Sequence, residues 1–187
     1  MMNDWLPQAG RRLSPHCDAR PAEAEISLLI IHGISLPRGV FGLDHVERLF
    51  LGSLDVTAHA SFAELRGVRV SAHVLIRRCG AIIQFCPFSA RAWHAGVSSF
   101  AGRAGCNDFS IGIELEGSDE IPYTDHQYEA LGWVCGWLIE HFPTIRYIVG
   151  HADVAPGRKT DPGPAFDWQR LRRELGGVQG VLVGGGS

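Results

Sequence analysis

The chain has 187 residues, 45% of them hydrophobic and 20% charged, with a formal net charge of −3. That size suits one domain folding on its own core without disulfides or a structural metal, and the balance is that of an ordinary globular protein. No basic patch marks a nucleic-acid binder, no basic amphipathic run marks a membrane surface, and no apolar run is long enough to cross a bilayer.

The opening residues, MMNDWLPQAGRRLSPHCDARP, lack a basic start followed by an apolar core, so no secretory signal is read and a cytoplasmic protein is expected. Five cysteines (Cys17, Cys79, Cys86, Cys106 and Cys135) are odd in number and have no CxxC spacing, which fits reduced thiols. Residues 27–31 (SLLII) read as a fully buried strand. Residues 71–77 and 81–85 read as two strands joined by a turn at Cys79-Gly80, where glycine supplies the positive φ. Residues 109–115 (FSIGIEL) form another strand, with Ile111, Ile113 and Leu115 on one face and Ser110, Gly112 and Glu114 on the other.

Thr124 and Gln127 have capping-box spacing at the start of a helix. Tyr128, Leu131, Val134, Cys135, Leu138 and Phe142 then recur at helical intervals until Pro143. Residues 145–149 form a short strand leading into Gly150-His151, and residues 167–175 a last helix with Asp167 as N-cap. Residues 176–187 (GGVQGVLVGGGS) are expected to be a flexible glycine-rich tail outside a domain of residues 1–175. Strands outnumber helices, and hairpins mix with helix-separated strands. The predicted class is α+β: a single domain with a mixed central β-sheet flanked by α-helices.

Chemistry concentrates in residues 151–163 (HADVAPGRKTDPG), a turn-rich segment at a strand end offering His151, Asp153, Lys159 and Asp161. His32 ends the other buried strand. Two such strands are able to present both imidazoles at one sheet edge. With Asp161 they make three ligands of the types Zn²⁺ takes, leaving a fourth place for water, the mark of a catalytic site. On spacing alone this signal is weak, and for any single histidine an ordinary hydrogen-bonded role is the commoner case. Glu114 is a candidate general base on a polar strand face; a salt bridge or an edge position is the equal alternative, and Glu116 shares that face. Trp93-His94-Ala95-Gly96 offers an apolar floor for a sugar or peptide, with core packing the commoner alternative. Arg69 and Arg103 are able to pair with a substrate carboxylate, although solvated surface arginines are more usual. His73, inside an apolar strand, reads as a core histidine.

The segments IIHGISLP, RVSAHVLIRRCG, RAWHAGVS, CNDFSIGIELEG and GHADVAPGRKTDPGPAFDW, in this order, resemble the cytoplasmic 1,6-anhydro-N-acetylmuramyl-L-alanine amidases (the AmpD family) of the type-2 amidase group. The resemblance runs from about Trp5 to Leu175. It implies the type-2 amidase fold and one zinc held by His32, His151 and Asp161, with Asp161 where phage and animal relatives often use cysteine. It also implies Glu114 as the catalytic glutamate, Lys159 as the stabiliser of the oxyanion, and substrate contacts from Arg69, Ala92 and Trp93. The implied reaction is hydrolysis of the amide between the lactyl group of an anhydromuramic acid and L-alanine. The implied setting is cytosolic recycling of cell-wall fragments, linked to β-lactamase induction. The expected partner is a small muropeptide, with no nucleic acid, membrane or obligate protein partner. Ser61 stands where some relatives carry an aromatic residue, Gly33 where enteric relatives have asparagine, and Gly105 where an arginine is expected in some, for which Arg103 is the candidate substitute. The competing readings are a wall-fragment binder without catalysis and an amidase acting on intact murein.

Overall fold

In the computed structural model, residues 4–184 are described. Strands β1 (Gly10–Arg11), β2 (Cys17–Ala19) and β3 (Leu28–Ile34) precede helix α1 (His45–Phe50) and a 3₁₀ turn at Ala60–Leu65. Strands β4 (Val74–Ile76), β5 (Ile82–Gln84), β6 (Ala90–Ala92), β7 (Ser99–Phe100), β8 (Arg103–Ala104) and β9 (Ser110–Glu116) follow. Helix α2 (Asp125–His141), strand β10 (Tyr147–Gly150), helices α3 (His151–Val154) and α4 (Trp168–Glu174), and strand β11 (Leu182–Val183) complete the chain.

Seven strands form one sheet in the order β1-β5-β4-β9-β3-β10-β11. Only the β4–β5 hairpin is antiparallel in it; the other five pairings are parallel. A mixed sheet of this kind needs cover on both faces, and alternation along β3 and β9 supplies apolar side chains to each. Leu29, Ile31, Ile111, Ile113 and Leu115 pack against Leu131, Val134, Cys135 and Leu138 of α2 and Leu171 of α4. Each Leu or Ile so buried contributes about 1.5–3 kcal/mol. Helix α2 starts where expected: Thr124 accepts from the Gln127 amide while the Gln127 side chain accepts from the Thr124 amide. On the opposite face Leu28 and Ile30 meet Ala95, Cys106, Phe109, Val149 and Val154, while α1 covers Ala72, Leu75 and Phe85. His32, Gly112 and Glu114 alternate onto this second face, away from α2.

The glycine-rich C-terminal segment carries the last strand of the sheet. Leu182 and Val183 pair in parallel with Tyr147 and Ile148, and Val178, Val181 and Val183 pack on the main core. The three valines give this stretch apolar surface that its glycines conceal in the composition. Residues 185–187 of the expected tail lie outside the described residues.

Candidate active site and metal centre

Register places the chemistry. Ile31 pairs with Gly150, so His32 on β3 and His151, one residue past β10, emerge side by side. Across the other edge of β3, His32 pairs directly with Glu114 of β9. Three adjacent parallel strands thus set Glu114, His32 and His151 in one row. The turn after α3 brings in Asp161, whose carbonyl accepts from the Ala152 amide at 2.9 Å.

His32 Nδ1 lies 3.0 Å from His151 Nδ1 and 3.2 Å from Asp161 Oδ2, and His151 Nδ1 lies 3.0 Å from the same oxygen. This is the one cluster of potential metal-binding side chains found among the described residues. His151 Nε2 faces the Ala95 carbonyl at 3.2 Å, which only accepts, so Nε2 carries a proton and Nδ1 is the nitrogen turned toward the cluster. Burial pulls the His32 pKa down to about 4, so that ring is neutral near pH 7. Two imidazole nitrogens and a carboxylate oxygen converging at about 3 Å call for a proton or a cation between them. Two imidazoles and a carboxylate suit zinc, and the donor set therefore fits that ion.

Glu114 is buried, and its Oε2 has no hydrogen-bond partner, alone among buried side-chain oxygens and nitrogens of the described residues. Burial, then the charge of Asp161, push its pKa well above the carboxylate range, while Lys159 opposes the shift. Glu116, two residues on, is different. It accepts from the Gly42 and Arg78 amides and faces Arg77. The two carboxylates of one strand face therefore separate into a satisfied structural group and an unsatisfied one. An orphaned buried carboxylate is expensive unless it has a role.

A cavity of about 240 Å³ joins His32, Glu114, His151, Lys159 and Asp161 to an apolar wall that includes Val70 and Ala72. A second depression of about 320 Å³, lined by residues such as Arg38, Ser118 and Thr160, shares Lys159 and Asp161 with it. Lys159 is exposed and is the only lysine in the chain; the other sixteen Lys or Arg positions are arginine. It enters no ion pair among those of the described residues, whereas Arg38, Arg77, Arg91 and Arg170 do.

Residues 22–164 match the family model described as N-acetylmuramoyl-L-alanine amidase. The chain belongs to that family. Within it, this amidase is 56% identical over 169 residues to the 1,6-anhydro-N-acetylmuramyl-L-alanine amidase AmpD of Escherichia coli (strain K12), covering 90% of this chain and 92% of the relative. It matches the crystal structure of a selenomethionine AmpD derivative with a TM-score of 0.90 at 53% identity, over 93% of this chain and 98% of that one. It also matches the amidase AmiD of E. coli, solved with the substrate anhydro-N-acetylmuramic acid-L-Ala-D-gamma-Glu-L-Lys, at a TM-score of 0.58 and 31% identity, over 83% of this chain and 60% of that one.

The remaining expected site residues of this amidase divide. Arg69 is exposed and lines a depression next to the cavity, beside His16 and Val68. Trp93 is half-buried and stacked on His16, with ring centroids 6.1 Å apart. Ala92 is fully buried in β6 and packs in the α1-side core. For Arg103, the β7–β8 hairpin lays its guanidinium over the Phe109 ring at 3.9 Å, and it is not among the residues lining the cavity. Asp153 is taken up locally, accepting from the Gly150 amide at 2.7 Å.

Gly33 has a steric reason. A Cβ there would lie 2.2 Å from the Tyr123 hydroxyl. That hydroxyl donates to the Pro162 carbonyl at 2.9 Å, tying the segment before α2 to the turn that carries Asp161. Tyr123 went unnoticed in the sequence because it reads as a residue before a helix cap. The sequence places His94 in a segment that offers an apolar floor, yet its Nδ1 lies 2.9 Å from His32 Nε2.

Proposed function

We propose that this amidase hydrolyses the amide between the lactyl group of 1,6-anhydro-N-acetylmuramic acid and L-alanine, in a zinc-dependent reaction on soluble wall fragments. The observation that carries the reading is the row of Glu114, His32 and His151 facing Asp161, with the unpaired Lys159 in the same cavity. The relatives named for the anhydromuramyl substrate are more than half identical over nine-tenths of the chain, which supports that substrate.

His32, His151 and Asp161 would hold the zinc, which supplies a Lewis acid and makes water acidic enough to serve as nucleophile near neutral pH. Glu114 takes the proton of the attacking water on its free oxygen and passes it to the departing alanine amine. Its raised pKa favours holding that proton between the two steps. Lys159 places its ammonium where the carbonyl oxygen becomes negative. The cavity and the second depression share Lys159 and Asp161, so a substrate with two arms has a place for each. The setting we infer is cytosolic recycling, where such fragments act as inducing signals for β-lactamase.

The test is mass spectrometry of products from a defined anhydromuramyl-tripeptide, with and without a chelator. The expected products are a sugar bearing a free lactyl carboxylate and a peptide beginning with L-alanine. Cleavage of insoluble sacculi alone would replace this substrate with intact murein, and binding without cleavage would make the chain a wall-fragment binder.

A further inference from the structure

The residues that orient the two histidine ligands come from one short segment. Asn107 Oδ1 accepts from two successive amides, those of His94 at 3.2 Å and Ala95 at 2.8 Å, and so clamps the turn after β6. The Ala95 carbonyl then accepts from His151 Nε2 at 3.2 Å and from Arg158 Nη2 at 2.6 Å. Arg158 also donates to the Val97 carbonyl at 2.7 Å, so the same guanidinium holds the turn from its far side.

On the other ligand, the direction of each hydrogen bond follows from its neighbour. The Cys106 carbonyl only accepts, so the Ser110 hydroxyl donates its single proton there, at 2.6 Å. Ser110 Oγ is then an acceptor toward His94 Nε2 at 3.3 Å, and His94 is protonated on Nε2. His94 Nδ1 is left as a lone pair, which accepts from His32 Nε2 at 2.9 Å. His32 Nδ1 is left bare, on the edge that faces His151 and Asp161. The chain of four groups thus transmits a carbonyl's fixed polarity to the metal-facing nitrogen. Space for it is built into β9: a Cβ on Gly112 would fall 2.4 Å from His94 Cγ and Nδ1.

We propose that His94 and Ala95 together form a bracket that fixes the tautomer of both metal-binding imidazoles, with His94 a positioning residue that keeps His32 Nδ1 unprotonated and aimed. The inference rests on the zinc reading of the site. Partners of this kind typically change metal affinity by about 10–100-fold when removed.

The experiment measures zinc affinity of the full chain by competition with a chromophoric chelator, after the metal-free fold of each variant is checked by circular dichroism. His94→Leu removes the acceptor and should weaken zinc by about 10–100-fold. His94→Asn places an amide oxygen where Nδ1 stands and should retain affinity within a few-fold of wild type. His94→Gln reaches instead to the Nε2 position and should fall with leucine. Gly112→Ala, which drives the ring off β9, should lose affinity as leucine does. If leucine fails to fold, the Asn and Gln pair decides. Equal affinity in wild type and His94→Leu overturns the bracket, as do equal losses in Asn and Leu, which would mark mere packing. A wild-type chain that binds no zinc overturns the site reading and the bracket together, so the two failures are distinct.

Discussion

His32 and Glu114 are register partners across β3 and β9, with His32 Nδ1 4.0 Å from Glu114 Oε1. One residue belongs to the cluster of side chains that could hold a metal, while the other keeps an oxygen free of any hydrogen bond. A carboxylate with a free oxygen is therefore held at a fixed distance from the cluster by sheet geometry. Glu114→Gln, which keeps the shape, should lower kcat by about 10²–10⁴-fold with zinc content unchanged. Steady-state kinetics beside metal analysis checks this, and full kcat in the variant would remove Glu114 from the reaction.

The same carboxyl makes a pH prediction for the metal-free protein. Burial raises its folded-state pKa above the ordinary 4.5. Stability from this group is fully present below that ordinary value and is lost as pH rises toward the folded-state value. The loss has a slope of up to about 1.4 kcal/mol per pH unit. Glu114→Gln removes this group's contribution to the slope. Urea denaturation of both metal-free proteins at pH 5 and pH 8 should show the variant gaining on wild type at pH 8. Parallel curves at both pH values would contradict the burial of an unpaired carboxyl.

Lys159, as the sole lysine, permits a test that most enzymes do not allow. Lys159→Met should reduce kcat by about 10²–10³-fold, the usual cost of losing one oxyanion stabiliser, with KM little changed. An amine-acylating reagent should inactivate wild type in step with modification of Lys159, followed by peptide mapping that also scores the N-terminal amine. Full activity after complete acylation of Lys159 would refute the role.

Gly33 and Tyr123 should be coupled. A Cβ at position 33 would meet the Tyr123 hydroxyl at 2.2 Å, so Gly33→Ala should cost about 1–3 kcal/mol by overpacking. In a Tyr123→Phe background the obstruction is gone, and most of that cost should vanish. A double-mutant cycle in urea measures the difference; additive losses would mean the two residues do not compete for the same space.

What the sequence revealed follows from where the signals are local. The run at 27–31, the alternation at 109–115 and the Thr124 capping box each carry their own pattern, and β3, β9 and α2 lie where these place them. Strands β1, β7, β8 and β11 are two residues long and exist only through their partners, so no propensity announces them. Helix α1 has six residues and no side-chain cap. The ligand triad was open to reading because both histidines follow apolar strands. The strand order that makes them neighbours was not. His94 shows the limit most clearly: its role depends on Ser110, Cys106 and His32, brought together only by folding.

The central claim is tested most directly by the zinc K-edge X-ray absorption spectrum of the purified, zinc-loaded protein. Coordination by His32, His151 and Asp161 predicts a first shell of nitrogen and oxygen alone, at about 2.0–2.2 Å, with one place for solvent and with imidazole scattering from two rings. A sulfur shell at about 2.3 Å, scattering from a different number of imidazoles, or an unchanged spectrum in Asp161→Ala would contradict it.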